Sequence, residues 1–285
     1  STFTTDDFIG LVGFSSEAHP HNNTLRRARA SLVETMQNEM RQVTDGGGTY
    51  MANGFNSAFD ILSTSVAGDT PANSSKGTSS RCTKIVIFLT DGKASDERTT
   101  IESAISAGQT KLIASTGSAA HIFTYSMGPG ADDTIPRSIA CANDGIWARI
   151  SAGINPLDQM AQYYRFLSST ATADTMRWSA PYNDSLGAGV MITAAKSIVD
   201  RSSSPPRIVG VVATDVLLSQ LNVVSPDDVT VLEDELISRG SCPSRTISEC
   251  NFQLLRQETG YQCPTKIHPS QCEPEVGYPP AVAVE

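Results

Sequence analysis

The sequence predicts an α/β domain with a doubly wound parallel sheet over residues 1–152, followed by an α+β region built on an antiparallel sheet. Three observations carry this expectation. Lys84–Gly92 (KIVIFLTDG) is a nearly continuous β-branched and apolar run ending in a polar turn, the pattern of a strand buried on both faces of a parallel sheet. Strand-like and helix-like stretches alternate on either side of it as far as residue 152. Beyond residue 153 the alternation stops, and two long strand-like runs follow, Gly187–Val199 and Arg207–Asp215, separated by the hairpin-like Asp200–Pro206 (DRSSSPP).

In chain order, Phe8–Phe14 is a short apolar strand, and Asn23 or Thr24 offers an N-cap for a long helix. Leu25, Ala28, Leu32, Met36, Met40 and Val43 recur every three or four residues and place one apolar stripe on that helix. Met51, Phe55, Phe59 and Leu62 do the same for a second helix after the Asp45–Thr49 turn. Residues 64–81, rich in Ser, Thr, Gly and Pro, read as an exposed loop. A helix around Ile101–Leu112, a strand His121–Ser126, a short helix Ile135–Cys141 and a strand Gly145–Ile150 complete the first domain. An amphipathic helix bearing Leu157, Met160, Tyr164 and Leu167 opens the second region, residues 153–240, and residues 241–285 are its cysteine-rich continuation.

The 285 residues carry a formal charge of -9, a field that repels nucleic acid and anionic lipid, so neither is an expected partner. No apolar run approaches the ~20 residues that span a bilayer, so any membrane attachment is expected outside this chain. The six cysteines are Cys82, Cys141, Cys242, Cys250, Cys263 and Cys272, and the last four do not follow a zinc-site spacing. Glycosylation sequons stand at Asn22, Asn73 and Asn183 in polar, turn-like sequence. An even cysteine count with three sequons points to the secretory pathway and an extracellular or cell-surface protein.

Catalytic signatures are missing: there is no nucleophile elbow, Walker loop, zinc-protease helix or dinucleotide fingerprint. His19, His21, His121 and His268 are scattered, and no spacing pairs two of them on a helix face, so an enzyme is not expected. A hard-cation site has better support, because Mg²⁺ or Ca²⁺ takes oxygen ligands. Asp91 stands at the carboxyl end of a sheet strand, where ligands collect in doubly wound folds, and Thr49 ends a glycine-rich turn at a helix start. The plainer alternative is that Asp91-Gly92 is a turn and Thr49 a helix cap.

Gly47-Gly48-Thr49, Gly54–Phe59, Lys84–Gly92, His121–Gly128 and Ile139–Gly145 together resemble the von Willebrand factor A domain. That resemblance implies a metal-ion-dependent adhesion site made of an Asp-x-Ser-x-Ser element on the first strand, a Thr in a later loop and an Asp ending a central strand. Thr49 and Asp91 match the last two. The one formal match to the first, Asp200, Ser202 and Ser204, follows the others and runs into Pro205-Pro206, so it reads as a hairpin loop. Phe8–Phe14 resembles the family's second strand, so the first strand is expected to be missing from this chain and the ion site incomplete within it.

Arg177–Asp184, Gly187–Thr193 and Ile208–Val216 resemble a Cache domain. A von Willebrand A domain followed by a Cache domain is similar to the alpha-2-delta auxiliary subunits of voltage-gated calcium channels, over roughly residues 5–225. By that resemblance Tyr182, Asp184 and Asp215, with Trp178 as an aromatic wall, hold the ammonium of an amino-acid ligand, while the Arg that pairs its carboxylate lies upstream of Ser1. Arg177 is a weaker stand-in for that Arg. Core packing remains the alternative for Trp178 and Tyr182, and capping of a helix Val216–Leu221 the alternative for Asp215. A glycan on Asn183, beside Tyr182, would restrict access to such a pocket.

The expected function is a non-catalytic extracellular module. Its A domain grips a protein partner, by resemblance a cation channel, through Mg²⁺ or Ca²⁺, and its Cache fold senses a small ligand. The alternative is a structural or adhesive surface assembly using the same folds as scaffold. Cys82 precedes the central strand and Cys141 ends a helix antiparallel to it, so both belong at the end opposite the metal site, which predicts a Cys82–Cys141 disulfide. The four later cysteines then pair among themselves.

Overall fold

The computed structural model describes residues 7–42, 46–67, 79, 82–151, 153, 156, 160, 163, 166, 176–179, 181–200, 207–221, 232, 252, 253, 256 and 263. The chain divides into two compact units, Ser1–Met160 and Ala161–Glu285. Val43, Asn73, Leu157, Tyr164, Leu167, Ser202, Ser204, Cys242, Cys250 and Cys272 lie outside the described residues.

The first unit opens with four short strands, β1 (Phe8–Ile9), β2 (Val12–Phe14), β3 (Ala18–Pro20) and β4 (Arg26–Arg27). β1 pairs with β4 and β2 with β3, both antiparallel, so the single strand expected at Phe8–Phe14 is one arm of an interrupted hairpin. That pairing displaces the first helix. α1 spans Ala30–Met40 and begins after Arg29, not at Asn23 or Thr24. The Leu25 amide donates to Ser65 Oγ at 2.7 Å and the Ala28 amide to the Asp7 carbonyl at 2.8 Å, contacts that an early helix start would forgo. In α1 only Met36 of the expected stripe is buried, and Met40 is exposed.

α2 (Met51–Ala67) extends beyond the predicted helix into the stretch read as loop. Its last turns stay ordered because Ser65 is buried, holding the Leu25 amide while its hydroxyl donates to the Ile61 carbonyl. β5 (Ile85–Thr90), β6 (His121–Met127) and β7 (Trp147–Ile150) form a parallel sheet in the order β5-β6-β7. Parallel neighbours need crossovers, which α3 (Arg98–Thr116) and α4 (Thr134–Ala142) supply.

One apolar cluster joins Met51, Phe55, Phe59 and Leu62 of α2 with Val86 and Phe88 of β5, Ile101, Ile105 and Leu112 of α3, Ile122 of β6 and Ile139 of α4. Each fully buried Phe adds about 1.5–3 kcal/mol. Phe88 stacks on Phe14 at 5.2 Å and on Phe55 at 4.6 Å, fastening β2 and α2 to the central strand. α2 and α3 meet where a Cβ on Gly108 would lie 2.3 Å from the Phe59 ring, so that crossing admits only glycine. The central strand β6 is buried on both faces, with Tyr125 Oη donating to the Met160 carbonyl at 3.4 Å. β5 differs from the expectation: Val86, Phe88 and Thr90 are buried, but Leu89 on the other face is exposed. Among the described residues β5 has a neighbour on one side only, as an edge strand does.

In the second unit, β8 (Arg177–Trp178) and β9 (Tyr182–Asn183) both pair with β10 (Val190–Asp200), and β10 pairs with β11 (Arg207–Leu217), all antiparallel. The predicted hairpin is present, with Asp200 opposite Arg207 across its tip, so the formal Asp-x-Ser-x-Ser match begins at a hairpin end. β11 runs to Leu217 and is followed by a 3-10 turn, Leu218–Leu221. Asp215 therefore lies inside a strand and cannot cap a helix at Val216–Leu221. Of the amphipathic helix expected after Asn155, Pro156, Met160, Tyr163 and Phe166 are helical, and Tyr163 and Phe166 are buried.

Candidate functional site

Thr49 and Asp91 are brought to one edge. Asp91 directly follows β5, and the Gly92 beside it faces Thr49: a Cβ there would lie 2.9 Å from Thr49 Oγ1. Any other residue at position 92 would push the hydroxyl away from the strand end. The Thr49 loop is fixed through its backbone. Its amide donates to Ser95 Oγ at 2.8 Å, the Ser95 amide returns a bond to the Thr49 carbonyl at 2.8 Å, and the Gly48 amide donates to Ser16 Oγ at 3.1 Å. Asp96 then accepts from the amides of Met51 at 3.2 Å and Ala52 at 2.7 Å, covering two orphan donors at the α2 N-terminus.

The loop after β6 closes the other side of this edge. Arg149 forks onto Asp133 at 2.9 and 3.1 Å and also donates to the Gly128 and Ala131 carbonyls. The loop so held sends the Asp132 amide toward the Gly92 carbonyl at 3.5 Å. Asp91 itself is exposed, and among the described residues its carboxylate accepts no hydrogen bond. Two hard oxygen donors thus share an edge whose supports are satisfied elsewhere. They fit part of the six-oxygen shell of Mg²⁺ or the larger shell of Ca²⁺. Among the described residues no group of three or more His, Cys, Asp or Glu could hold a metal.

In the second unit the structure joins Tyr182, Asp215 and a residue the sequence reading missed, Thr193. Asp215 Oδ1 accepts from Thr193 Oγ1 at 2.7 Å and from Tyr182 Oη at 3.1 Å, and the two hydroxyls are 2.7 Å apart. The register explains the meeting: Thr193 is directly opposite Asp215, and Tyr182 opposite Met191, two residues along the same face. Trp178 is not part of it. It pairs with Ala194, on the other face, because one extra residue between β8 and β9 reverses the alternation. Asp184 is spent on the turn before β10, where its Oδ2 accepts from the Ala188 amide at 2.9 Å and its amide donates to the Gly189 carbonyl.

Ser95, Asp96 and Thr193 left no local signal. The first two act on a loop some forty-five positions earlier, and Thr193 becomes visible only when the hairpin register is known. Cys82, Cys141 and Cys263 are each in a disulfide. Cys82 precedes β5 and Cys141 lies in the last turns of α4, both toward the amino-terminal edge of the parallel sheet. There Lys84 Nζ donates to Ser118 Oγ at 2.9 Å, and His121 Nδ1 donates to the Asp144 carbonyl at 2.8 Å. Burial pushes the His121 imidazole below its usual value, and the Asp144 carbonyl and charge oppose that shift in part. Among the described residues no helix is long and apolar enough to cross a membrane.

No family model matches the chain. Over 240 residues it is 24% identical to the alpha-2/delta-2 subunit of the human voltage-dependent calcium channel, covering 79% of this chain and 19% of that protein. To the rat alpha-2/delta-3 subunit it is 26% identical over 237 residues, 77% of this chain and 20% of that one. The chain therefore spans about a fifth of the length of these relatives. Among solved structures, a von Willebrand factor type A protein from Catenulispora acidiphila aligns over 64% of this chain and 39% of its own, with 20% identity and a TM-score of 0.45. The sequence resemblance to alpha-2/delta subunits thus runs through most of the chain.

Proposed function

We propose that the chain is a non-catalytic, extracellular binding module of an auxiliary channel subunit, and that its first unit grips a protein partner through a divalent cation. The observation that carries this reading is the placement of the Thr49 hydroxyl against the Asp91-Gly92 turn at the carboxyl end of β5, with the Asp91 carboxylate unspent. An ion held there by Thr49 and Asp91 keeps open positions, and an acidic side chain of the partner completes its shell. In the family pattern the remaining protein ligands belong to the Asp-x-Ser-x-Ser element of the first strand. The relatives' names make a voltage-dependent calcium channel the first partner to test.

The first unit corresponds to a von Willebrand A domain and the second to part of a Cache domain in this proposal, and Cys82 pairs with Cys141. Non-reducing peptide mapping that joined either cysteine to the tail would reject the pairing. A second reading, amino-acid sensing, is favoured by the Tyr182–Thr193–Asp215 cluster, where Asp215 Oδ2 can receive a ligand ammonium against the Tyr182 ring. Co-precipitation of full-length protein with the channel, with and without chelator, tests the main reading. Binding lost in chelator and in Asp91→Ala supports it, and binding unchanged in excess chelator leaves the scaffold alternative.

A further inference from the structure

Asn183 begins the sequon Asn183-Asp184-Ser185, and both Asn183 and Ser185 are exposed where β9 enters the turn before β10. Asn22, the other described sequon asparagine, is half-buried, with Thr24 half-buried after it. Alternation along β9 puts Asn183 and Tyr182 on opposite faces. Asn183 pairs directly with Val190, while Tyr182 pairs with Met191 and shares its face with Thr193 and Asp215. Along β10 that face buries Ile192 and Ala194, but its first residue and the adjoining turn carry apolar exposure. Val190 is 42% exposed directly across from it, and Leu186, in the adjoining turn, is 93% exposed.

We propose that Asn183 carries an N-linked glycan that leaves from the sheet face opposite Tyr182, Thr193 and Asp215 and shelters Val190 and Leu186. This rests on the extracellular reading, which supplies the glycosylating compartment. A glycan so placed keeps the apolar turn from associating with other chains and leaves the hydroxyl–carboxylate cluster open, although its attachment point is the residue next to Tyr182. Asp184 in the middle position and the Ser185 hydroxyl at the third satisfy the acceptor pattern, in which only proline is barred between them.

The test is the whole chain behind a heterologous secretion signal in mammalian cells, with glycopeptide mapping of secreted and retained material, since transfer precedes folding. Asn183 occupied, occupancy raised by Ser185→Thr and one glycan lost in Asn183→Gln support the proposal. An unmodified Asn183 in both wild type and Ser185→Thr overturns it. If the disulfides have formed in those same molecules, the extracellular reading survives that failure. Nitration of Tyr182 by tetranitromethane then tests the face: an unchanged rate after enzymatic deglycosylation of the folded protein supports it, and a severalfold faster rate overturns it.

Discussion

The carboxyl end of β5 and the Tyr182 face of the β10–β11 hairpin each present a carboxylate, and the two are held by opposite means. Asp91 is placed by the backbone that carries it. Ser95, Asp96 and Arg149 fix the surrounding loops, and none of them uses the Asp91 carboxylate. Asp215 is placed by its own side-chain bonds, since one oxygen already takes two hydroxyls. A carboxylate located by backbone keeps its charge for an ion. One located by its own hydrogen bonds is pre-oriented but partly satisfied, so a ligand has to add to the second oxygen or displace a hydroxyl.

The largest expected effect is on the core beneath the first site. Gly108→Val should cost about 1–3 kcal/mol by overpacking against Phe59, read as a lower denaturation midpoint; an unshifted midpoint would mean that α2 and α3 do not meet there. Next, Asp96→Ala should cost about 0.5–2 kcal/mol by uncapping α2. It should also weaken ion-dependent binding without touching an ion ligand, and full binding would show that the Thr49 loop holds itself.

On the hairpin, Asp215→Asn should cost on the order of 1 kcal/mol or less, because the bonds it weakens are exposed. In calorimetric titration with a panel of amino acids it should weaken any binding that wild type shows. Wild type binding none at millimolar concentration would make the cluster purely structural.

The smallest effect concerns pH. Burial lowers the folded-state value of His121 below the ordinary 6.5, so the unfolded chain binds the proton more readily. This contribution to stability is complete above that ordinary value and is lost as pH falls from it through the folded value. His121→Gln should flatten the corresponding slope in the unfolding midpoint; an unaltered slope would place the titration elsewhere.

The first unit was more legible than the second. Its helices and parallel strands carry long periodic or continuous apolar runs, so α2, β5, α3, β6, α4 and β7 could be read within a few residues. Thr49 and Asp91 could be nominated because strand ends and glycine-rich turns have local signatures. Failures came where a distant partner decided the outcome. Leu25–Arg29 gave up a helical pattern for bonds to Ser65 and Asp7, and Asp215 stayed in the strand because β11 remains paired with β10 as far as Leu217. Trp178, which the Cache resemblance groups with Tyr182, is turned to the other face by a one-residue bulge.

The most direct test of the account is calorimetric titration of Mg²⁺ and of Ca²⁺ into the full-length protein, wild type beside Asp91→Ala and Thr49→Ala, with thermal unfolding of each in chelator. Wild type should bind saturably, Asp91→Ala not at all and Thr49→Ala more weakly, with equal unfolding temperatures once the ion is removed. Binding by Asp91→Ala with wild-type affinity would contradict the account.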